Sequence, residues 1–169
     1  DKVITYVNIG LDYKFYKNIS ISEKPDSIYV LCNKYNALPR DYKPNNLIQI
    51  PNKYHINDSK EYYIRDLVFK KYKKMYTDAL NESINLNIAS AYRSFEYQKS
   101  LYNRYKNSYS RKMADKFSAR PRHSEHETGL AIDFYPVADK FEDTKEFKWL
   151  KDNAYKYGFI IRYPKNKTF

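Results

Sequence analysis

An imidazole and a carboxylate lie close enough in the sequence to share one metal ion. His126 and Asp133 are seven residues apart, and Thr128 and Gly129 between them allow a bend. One imidazole nitrogen and one carboxylate oxygen form a donor pair that suits zinc. Because Asp133 sits in an apolar run, where an unpaired carboxylate is costly, it needs a metal ion or a basic partner. The alternative is a surface histidine and an aspartate that caps or pairs with a nearby arginine.

Two acidic residues flank His126, and either could be mistaken for a general base. Glu125 and Glu127 stand directly beside the imidazole in the sequence. However, no second histidine follows at the helical spacing of a His-Glu-x-x-His metalloprotease. We therefore predict that both glutamates support the loop around His126 and that neither acts as the base.

The composition limits what else could complete such a site. The chain has 169 residues, about one domain's worth, and contains only three histidines, at positions 55, 123 and 126. Its single cysteine, Cys32, excludes an internal disulfide and a multi-cysteine metal site. No apolar run reaches the ~18–20 residues that a membrane span needs. A histidine-based metal site in this chain must therefore use most of its histidines.

A basic stretch accounts for much of the net charge of +11. Residues 104–122 contain seven Lys or Arg and one acid, Asp115, with tyrosines between them. Basic and aromatic residues in alternation allow nucleic-acid binding, and a solvated basic face is the alternative. On a protein of the cell wall, the same charge would attract anionic wall polymers.

The apolar patterning predicts helices that alternate loosely with strands. We predict helices over residues 61–80, after a cap at Ser94 and after a cap at Asp143, and strands over residues 27–32, 86–92, 128–134 and 159–163. Leu67 is expected on the apolar face of the first helix, and Gly158 is expected to end the last one. In the third strand, Ile132 and Phe134 should lie on the face opposite to Asp133. Residues 106–125 have no clear periodicity and are predicted to be irregular. This order indicates the α+β class, as a single domain with a mostly antiparallel central sheet and flanking helices.

Four ordered motifs resemble those of one family. Residues 33–44, 90–98 and 148–164 are similar to its N-terminal approach, its Ser-x-Tyr-Arg-Ser-x-x-x-Gln segment and its helix-to-strand passage. The pattern Ser-x-His-x-x-Gly-x-Ala-x-Asp is present at Ser124, His126, Gly129, Ala131 and Asp133. The chain thus resembles the VanY-type D-alanyl-D-alanine carboxypeptidases of the lysostaphin, D-Ala-D-Ala peptidase and hedgehog superfamily. The resemblance predicts an N-terminal extension over residues 1–27 and a peptidase domain over residues 28–169 whose C-terminal end is missing.

The resemblance also implies the roles of individual residues. In the family, zinc is held by His, Asp and a second His, and a Glu shortly before that second His is the base. His126 and Asp133 match the first two ligands, whereas Arg93 would stabilise the oxyanion or anchor a substrate carboxylate. Without the family, a structural salt bridge would be the simpler role for that arginine. Ser124 and Gln98 would contact the terminal D-alanine.

The expected third ligand and base are not found in the sequence, which ends five residues after Pro164. We expect them to lie beyond Phe169. The alternative is that another residue is the ligand, and His123 is the one nearby candidate. As written, the chain is expected to bind zinc weakly or to be inactive.

The resemblance predicts a zinc-dependent carboxypeptidase that removes the C-terminal D-alanine from peptidoglycan stem peptides, at a D,D or an L,D bond. The alternative is a non-catalytic module that binds wall peptides and has lost the base and third ligand. We expect an extracytoplasmic bacterial protein facing the cell wall, with anionic wall polymers as possible partners. Membrane contact is expected only through an anchor preceding Asp1. Nucleic-acid binding ranks last and is not expected, because it leaves residues 124–133 unexplained.

Overall fold

The computed structural model describes residues 16–57, 59–137 and 141–162. Helices and short strands alternate in these residues, which confirms the α+β class. The helices are α1 (Asp66–Asn81), α2 (Phe95–Tyr109), α3 (Arg111–Phe117) and α4 (Lys145–Asn153). The strands are β1 (Ser20–Ile21), β2 (Asn36–Ala37), β3 (Leu47–Gln49), β4 (Tyr63–Arg65), β5 (Ile88–Ser90) and β6 (Asp133–Phe134). No helix in the described ranges has both the length and the apolar character to cross a membrane.

The predicted central sheet is wrong, because the strands form three separate pairs in the described residues. β3 pairs with β4 and β5 with β6, both antiparallel, whereas β1 and β2 are parallel. The strand predicted over residues 128–134 is reduced to β6. A 3-10 turn over Glu125–Thr128 and the left-handed Gly129, with φ of +69°, occupy the residues before it. Turns of this kind leave too little extended backbone for a continuous sheet.

The described chain forms two compact units, each assembled from segments that are distant in sequence. The first unit lies within residues 1–43 and 93–128, and the second within residues 44–92 and 129–168. The backbone passes from one to the other three times, so no single linker separates them.

The second unit contains the main hydrophobic core, and α1 contributes most to it. This helix begins at Asp66, five residues later than predicted, because Tyr63–Arg65 pairs as β4 with β3. The fully buried Tyr72 donates its hydroxyl to the Leu86 carbonyl at 2.9 Å. Leu67, predicted to face inward, is 45% exposed. The buried face of α1 comprises Val68, Phe69, Tyr72, Met75 and Ala79.

Helix α4 closes the same core with Trp149 and Leu150. Its N-cap is Thr144, one residue after the predicted Asp143, and the Thr144 hydroxyl accepts the Phe147 N–H at 3.1 Å. The left-handed Gly158, with φ of +85°, ends the helical segment as predicted. Residues 159–162 form no strand, and the rest of the predicted strand lies outside the described residues.

The first unit is organised by α2 and α3. Ser94 caps α2 as predicted, since its hydroxyl accepts the Tyr97 N–H at 3.2 Å. Helix α3 occupies a stretch predicted to be irregular. Asp115 on this helix accepts the Tyr102 hydroxyl of α2 at 2.7 Å. Asp115 also binds the Arg120 guanidinium through two contacts, of 2.9 and 2.6 Å.

The strand predicted over residues 27–32 is wrong, because local polar contacts fold this segment into a turn. The Ser27 hydroxyl accepts the Tyr29 N–H at 3.1 Å, and the Ser27 carbonyl accepts the Val30 N–H at 3.2 Å. Side-chain bonds of this kind compete with strand pairing. The pairing in this region is instead made by β1 and β2.

Candidate active site

The loop around His126 is fixed at its main chain. His126 is half-buried in the 3-10 turn Glu125–Thr128, and its carbonyl accepts the Arg93 N–H at 3.2 Å. The first unit therefore brings together the backbones of two predicted site residues, Arg93 and His126. This contact involves no side-chain atom, so both side chains can be substituted without removing it.

Glu127 holds the same loop from inside. It is only 5% exposed, and its carboxylate accepts the Arg122 N–H at 2.8 and 3.1 Å and the Ser124 N–H at 3.3 Å. Burial raises the pKa of Glu127 to about 7, although the two N–H groups and the charge of Arg122 oppose this shift. Because its oxygens bind the loop itself, Glu127 supports the backbone, a role that the sequence suggested only in general terms.

Ser124 and Gln98, the predicted substrate contacts, are both buried in the first unit, at 4% and 1% exposure. The Gln98 amide nitrogen donates to the Ala119 carbonyl at 2.7 Å. Its amide oxygen has no hydrogen-bond partner within the described part of the chain. A buried amide oxygen without a partner is costly, so Gln98 is suited to accept a hydrogen bond from a ligand.

Asp133 is positioned by the second unit. It is the first residue of β6, lies opposite Ser90 of β5 and is half-buried. Its neighbours Ile132 and Phe134 pack against the core, and the Phe134 ring stacks on Tyr72 at 6.1 Å. The apolar neighbours thus anchor the short strand on which the carboxylate is carried.

Gly129, in the same motif, has a backbone conformation that favours glycine, and neighbouring side chains leave no room for a Cβ atom. Its φ of +69° favours glycine, and an added Cβ would lie 2.9 Å from Arg65 Cγ and 3.2 Å from Leu47 Cδ2. Its carbonyl accepts the Arg65 N–H at 3.3 Å. The glycine of the motif therefore lets the chain pass close to β3 and β4 just before Asp133.

We expect Gly129→Ala to lower the free energy of unfolding by about 2–4 kcal/mol, from the left-handed φ together with the steric conflict. Gly158→Ala is the matched control, because its φ is +85° but no atom lies within 4 Å of the added Cβ. The control should lose only about 1–2 kcal/mol. Urea unfolding of both variants measures the difference. Equal losses of unfolding free energy in the two variants would show that the Arg65 and Leu47 side chains can move away from the added methyl group without an energetic cost.

The described residues hold donors that suit zinc, but no set of ligands that is complete. No group of three or more His, Cys, Asp or Glu side chains converges in these ranges. His123, the alternative ligand, is 8% exposed, and its Nδ1 lies 2.7 Å from the Asn33 carbonyl. Burial lowers the pKa of His123, although the Asn33 contact opposes this shift. The Asn33 carbonyl can only accept, so Nδ1 carries the hydrogen of this contact, and His123 stays the alternative third ligand.

A family comparison identifies what this chain is related to. The model of the family described as VanY, D-alanyl-D-alanine carboxypeptidase, matches residues 61–169. The chain belongs to this family. The match contains both predicted ligands and every residue of the Ser-x-His-x-x-Gly-x-Ala-x-Asp motif.

The relatives of known sequence are carboxypeptidases by name. YodJ of Bacillus subtilis is 37% identical over 164 residues, which cover 92% of this chain and 60% of that protein. A D-alanyl-D-alanine carboxypeptidase of Enterococcus faecium is 34% identical over 121 residues, covering 71% of this chain and 37% of the relative. The chain thus spans less than two thirds of the length of either relative.

Two solved structures share the fold. The LD-carboxypeptidase LdcB matches with a TM-score of 0.81 and 37% identity, covering 89% of this chain and 73% of the other. A zinc-bound variant of the D,D-pentapeptidase VanY from a VanB-type vancomycin resistance cassette matches with a TM-score of 0.66 and 28% identity. This second match covers 82% of this chain and 78% of the other.

Proposed function

We propose that this protein is a zinc-dependent carboxypeptidase that removes the C-terminal D-alanine from peptidoglycan stem peptides. The observation that carries the proposal is the complete motif at residues 124–133, inside a family match that covers residues 61–169. The VanY homologue binds Zn(II), which supports the choice of metal. Zinc suits the imidazole and carboxylate donors present here.

His126 and Asp133 would hold the zinc ion together with one further ligand, and a general base would act beside them. Bound zinc supplies a Lewis acid for the scissile carbonyl and lowers the pKa of a bound water from ~15.7 toward ~7. The loop contact between the Arg93 N–H and the His126 carbonyl, of 3.2 Å, would keep the imidazole in place. The apolar neighbours of Asp133 would do the same for the carboxylate.

The substrate would be oriented by three residues of the first unit. The Arg93 guanidinium, with its fixed fork of donors, would bind the developing oxyanion or the terminal carboxylate. Ser124 would contact the terminal D-alanine. Since the Gln98 amide nitrogen is bonded to Ala119, its oxygen would accept an N–H of the stem peptide.

The bond that is cleaved is proposed to be an L,D bond. The LD-carboxypeptidase LdcB resembles this chain more strongly than the D,D-pentapeptidase VanY does, in identity (37% against 28%) and in TM-score (0.81 against 0.66). A stem tetrapeptide that ends in an L-centre followed by D-alanine is therefore the expected substrate. The protein would act outside the cytoplasm, where its net charge of +11 would favour contact with anionic wall polymers.

The test measures D-alanine release by the full-length protein from a stem tetrapeptide and a pentapeptide, before and after metal removal by a chelator. We expect release from the tetrapeptide, loss of activity in the apoprotein and recovery with one equivalent of Zn²⁺. Binding of the peptides without release, in a zinc-supplemented sample, would instead identify a non-catalytic wall-binding module. Activity that survives complete metal removal would exclude the zinc mechanism.

A further inference from the structure

The loop that carries Ser124 contains a strained residue. Arg122 has a φ of +74°, in the left-handed region that favours glycine. It lies two residues before Ser124 and four before His126. A non-glycine residue keeps such a conformation only where its surroundings hold it, and such residues concentrate at functional sites. The contacts around Arg122 therefore show what determines the shape of this loop.

Arg122 is held from two sides. On one side its N–H donates to the Glu127 carboxylate, at 2.8 and 3.1 Å. On the other side Leu38 binds it twice: the Leu38 N–H donates to the Arg122 carbonyl at 2.8 Å, and the Arg122 Nε donates to the Leu38 carbonyl at 2.8 Å. The buried Cys32 thiol also lies 3.6 Å from the Arg122 carbonyl.

The neighbours of Arg122 contact the same N-terminal segment. The Tyr16 hydroxyl accepts the Arg120 N–H at 3.1 Å, and the Arg120 guanidinium lies 3.9 Å from the centre of the Tyr16 ring. The same ring meets His123 edge-on, with centres 4.8 Å apart. His123 in turn binds the Asn33 carbonyl at 2.7 Å. Residues 16–38 thus contact three of the four residues that precede Ser124.

We propose that residues 16–38, which precede the part of the chain matched by the family model, are a positioning segment for the substrate-binding loop. They hold Arg122 in its left-handed conformation and so fix the direction in which the chain enters Ser124. This inference rests on the proposed function, in which Ser124 contacts the terminal D-alanine. The backbone of His126 is anchored separately by Arg93, so the positioning segment acts on substrate binding and not on the metal.

The test compares two tyrosine-to-phenylalanine variants of the full-length protein. Tyr16→Phe removes the hydroxyl that accepts the Arg120 N–H and keeps the ring. Tyr157→Phe is the matched control, because the Tyr157 hydroxyl donates to the Asp78 carboxylate at 2.6 Å within the second unit, where neither the loop nor residues 16–38 are found. Tyr16→Leu, which also removes the ring contacts, is a stronger variant if it folds.

Hydrogen exchange is the first measurement. Tyr16→Phe should accelerate exchange of the amides of Arg120 and residues 122–124 by about fivefold, the effect of losing one buried hydrogen bond, whereas Tyr157→Phe should leave them unchanged. The second measurement is the KM for the stem tetrapeptide, which should rise by about fivefold in Tyr16→Phe alone, with kcat and zinc stoichiometry unchanged.

Each outcome decides a different statement. Unchanged exchange in Tyr16→Phe would overturn the positioning role, whatever the activity. Faster exchange with an unchanged KM would show that the segment holds the loop without affecting substrate binding, which also overturns the proposal. A wild-type protein that releases no D-alanine would refute the proposed function, whereas hydrogen exchange would still test the contact between Tyr16 and the loop.

Discussion

In the full-length protein, replacing His126 by alanine should abolish stoichiometric zinc binding and lower kcat/KM for D-alanine release by about 10³-fold or more. The reason is that the metal supplies several kcal/mol of transition-state stabilisation, and each ~1.4 kcal/mol corresponds to a factor of ten. The fold should persist, because His126 is only half-buried and its carbonyl keeps the contact with the Arg93 N–H. Metal content by elemental analysis and single-substrate kinetics measure the two effects.

The control for this variant is His123→Asn, which tests the alternative ligand. The asparagine amide can still donate to the Asn33 carbonyl, as the His123 Nδ1 does at 2.7 Å. We expect this variant to keep one zinc ion per chain. Zinc retained in His126→Ala but lost in His123→Asn would reverse the assignment of the ligand.

Replacing Arg93 by alanine should lower kcat/KM by about 10²–10³-fold without changing the zinc content. A loss of this size is typical when a donor to a developing oxyanion is removed, about 2.7–4 kcal/mol. Arg93→Lys should recover only part of the activity, because an ammonium group lacks the fork of donors that a guanidinium presents. The exposed Arg104 of α2 provides the control, Arg104→Ala, which should stay within twofold of the wild type.

The same variant separates the two roles proposed for Arg93. Stabilisation of the oxyanion predicts a lower kcat at an unchanged KM, whereas binding of the terminal carboxylate predicts a higher KM. A peptide with an amidated C-terminus adds a second measurement. If Arg93 binds the carboxylate, amidation should impair the wild type strongly and Arg93→Ala very little. Unchanged kinetics in Arg93→Ala would contradict both proposed roles and would show that Arg93 has only a structural role.

The features that the sequence predicted correctly depend on residues close together in the chain. Ser94 caps α2 through an N–H three residues away, and Gly158 ends the helical segment after α4 through its own positive φ. The alternation around Asp133 likewise placed Ile132 and Phe134 toward the core. The motif at residues 124–133 identified the family because it is a contiguous pattern. Such signals act over a few residues and need no tertiary partner.

Features that depend on distant partners were missed. Tyr63–Arg65 lies in the range predicted to be helical but pairs with β3 as a strand. The predicted central sheet is replaced by three short pairs of strands in the described residues. The predicted α4 cap was also wrong by one residue, because Asp143 ends the 3-10 turn Phe141–Asp143 and Thr144 is the extended residue that follows it. A local pattern cannot tell which extended segments will find a partner, since pairing involves residues tens of positions apart.

By itself, then, the sequence determined the α+β class, the family and the residues predicted to bind zinc and substrate. Only the tertiary structure decided how the loop before His126 is held. Glu127 binds the backbone of its own loop, and Tyr16 and Leu38 bind Arg120 and Arg122 across more than 80 residues of sequence. The physical reason is that a buried carboxylate and a left-handed arginine are costly in isolation. The carboxylate becomes stable only when its own loop folds around it, and the arginine only when folding brings Leu38 to it from 84 residues away. No local pattern records that distant partner.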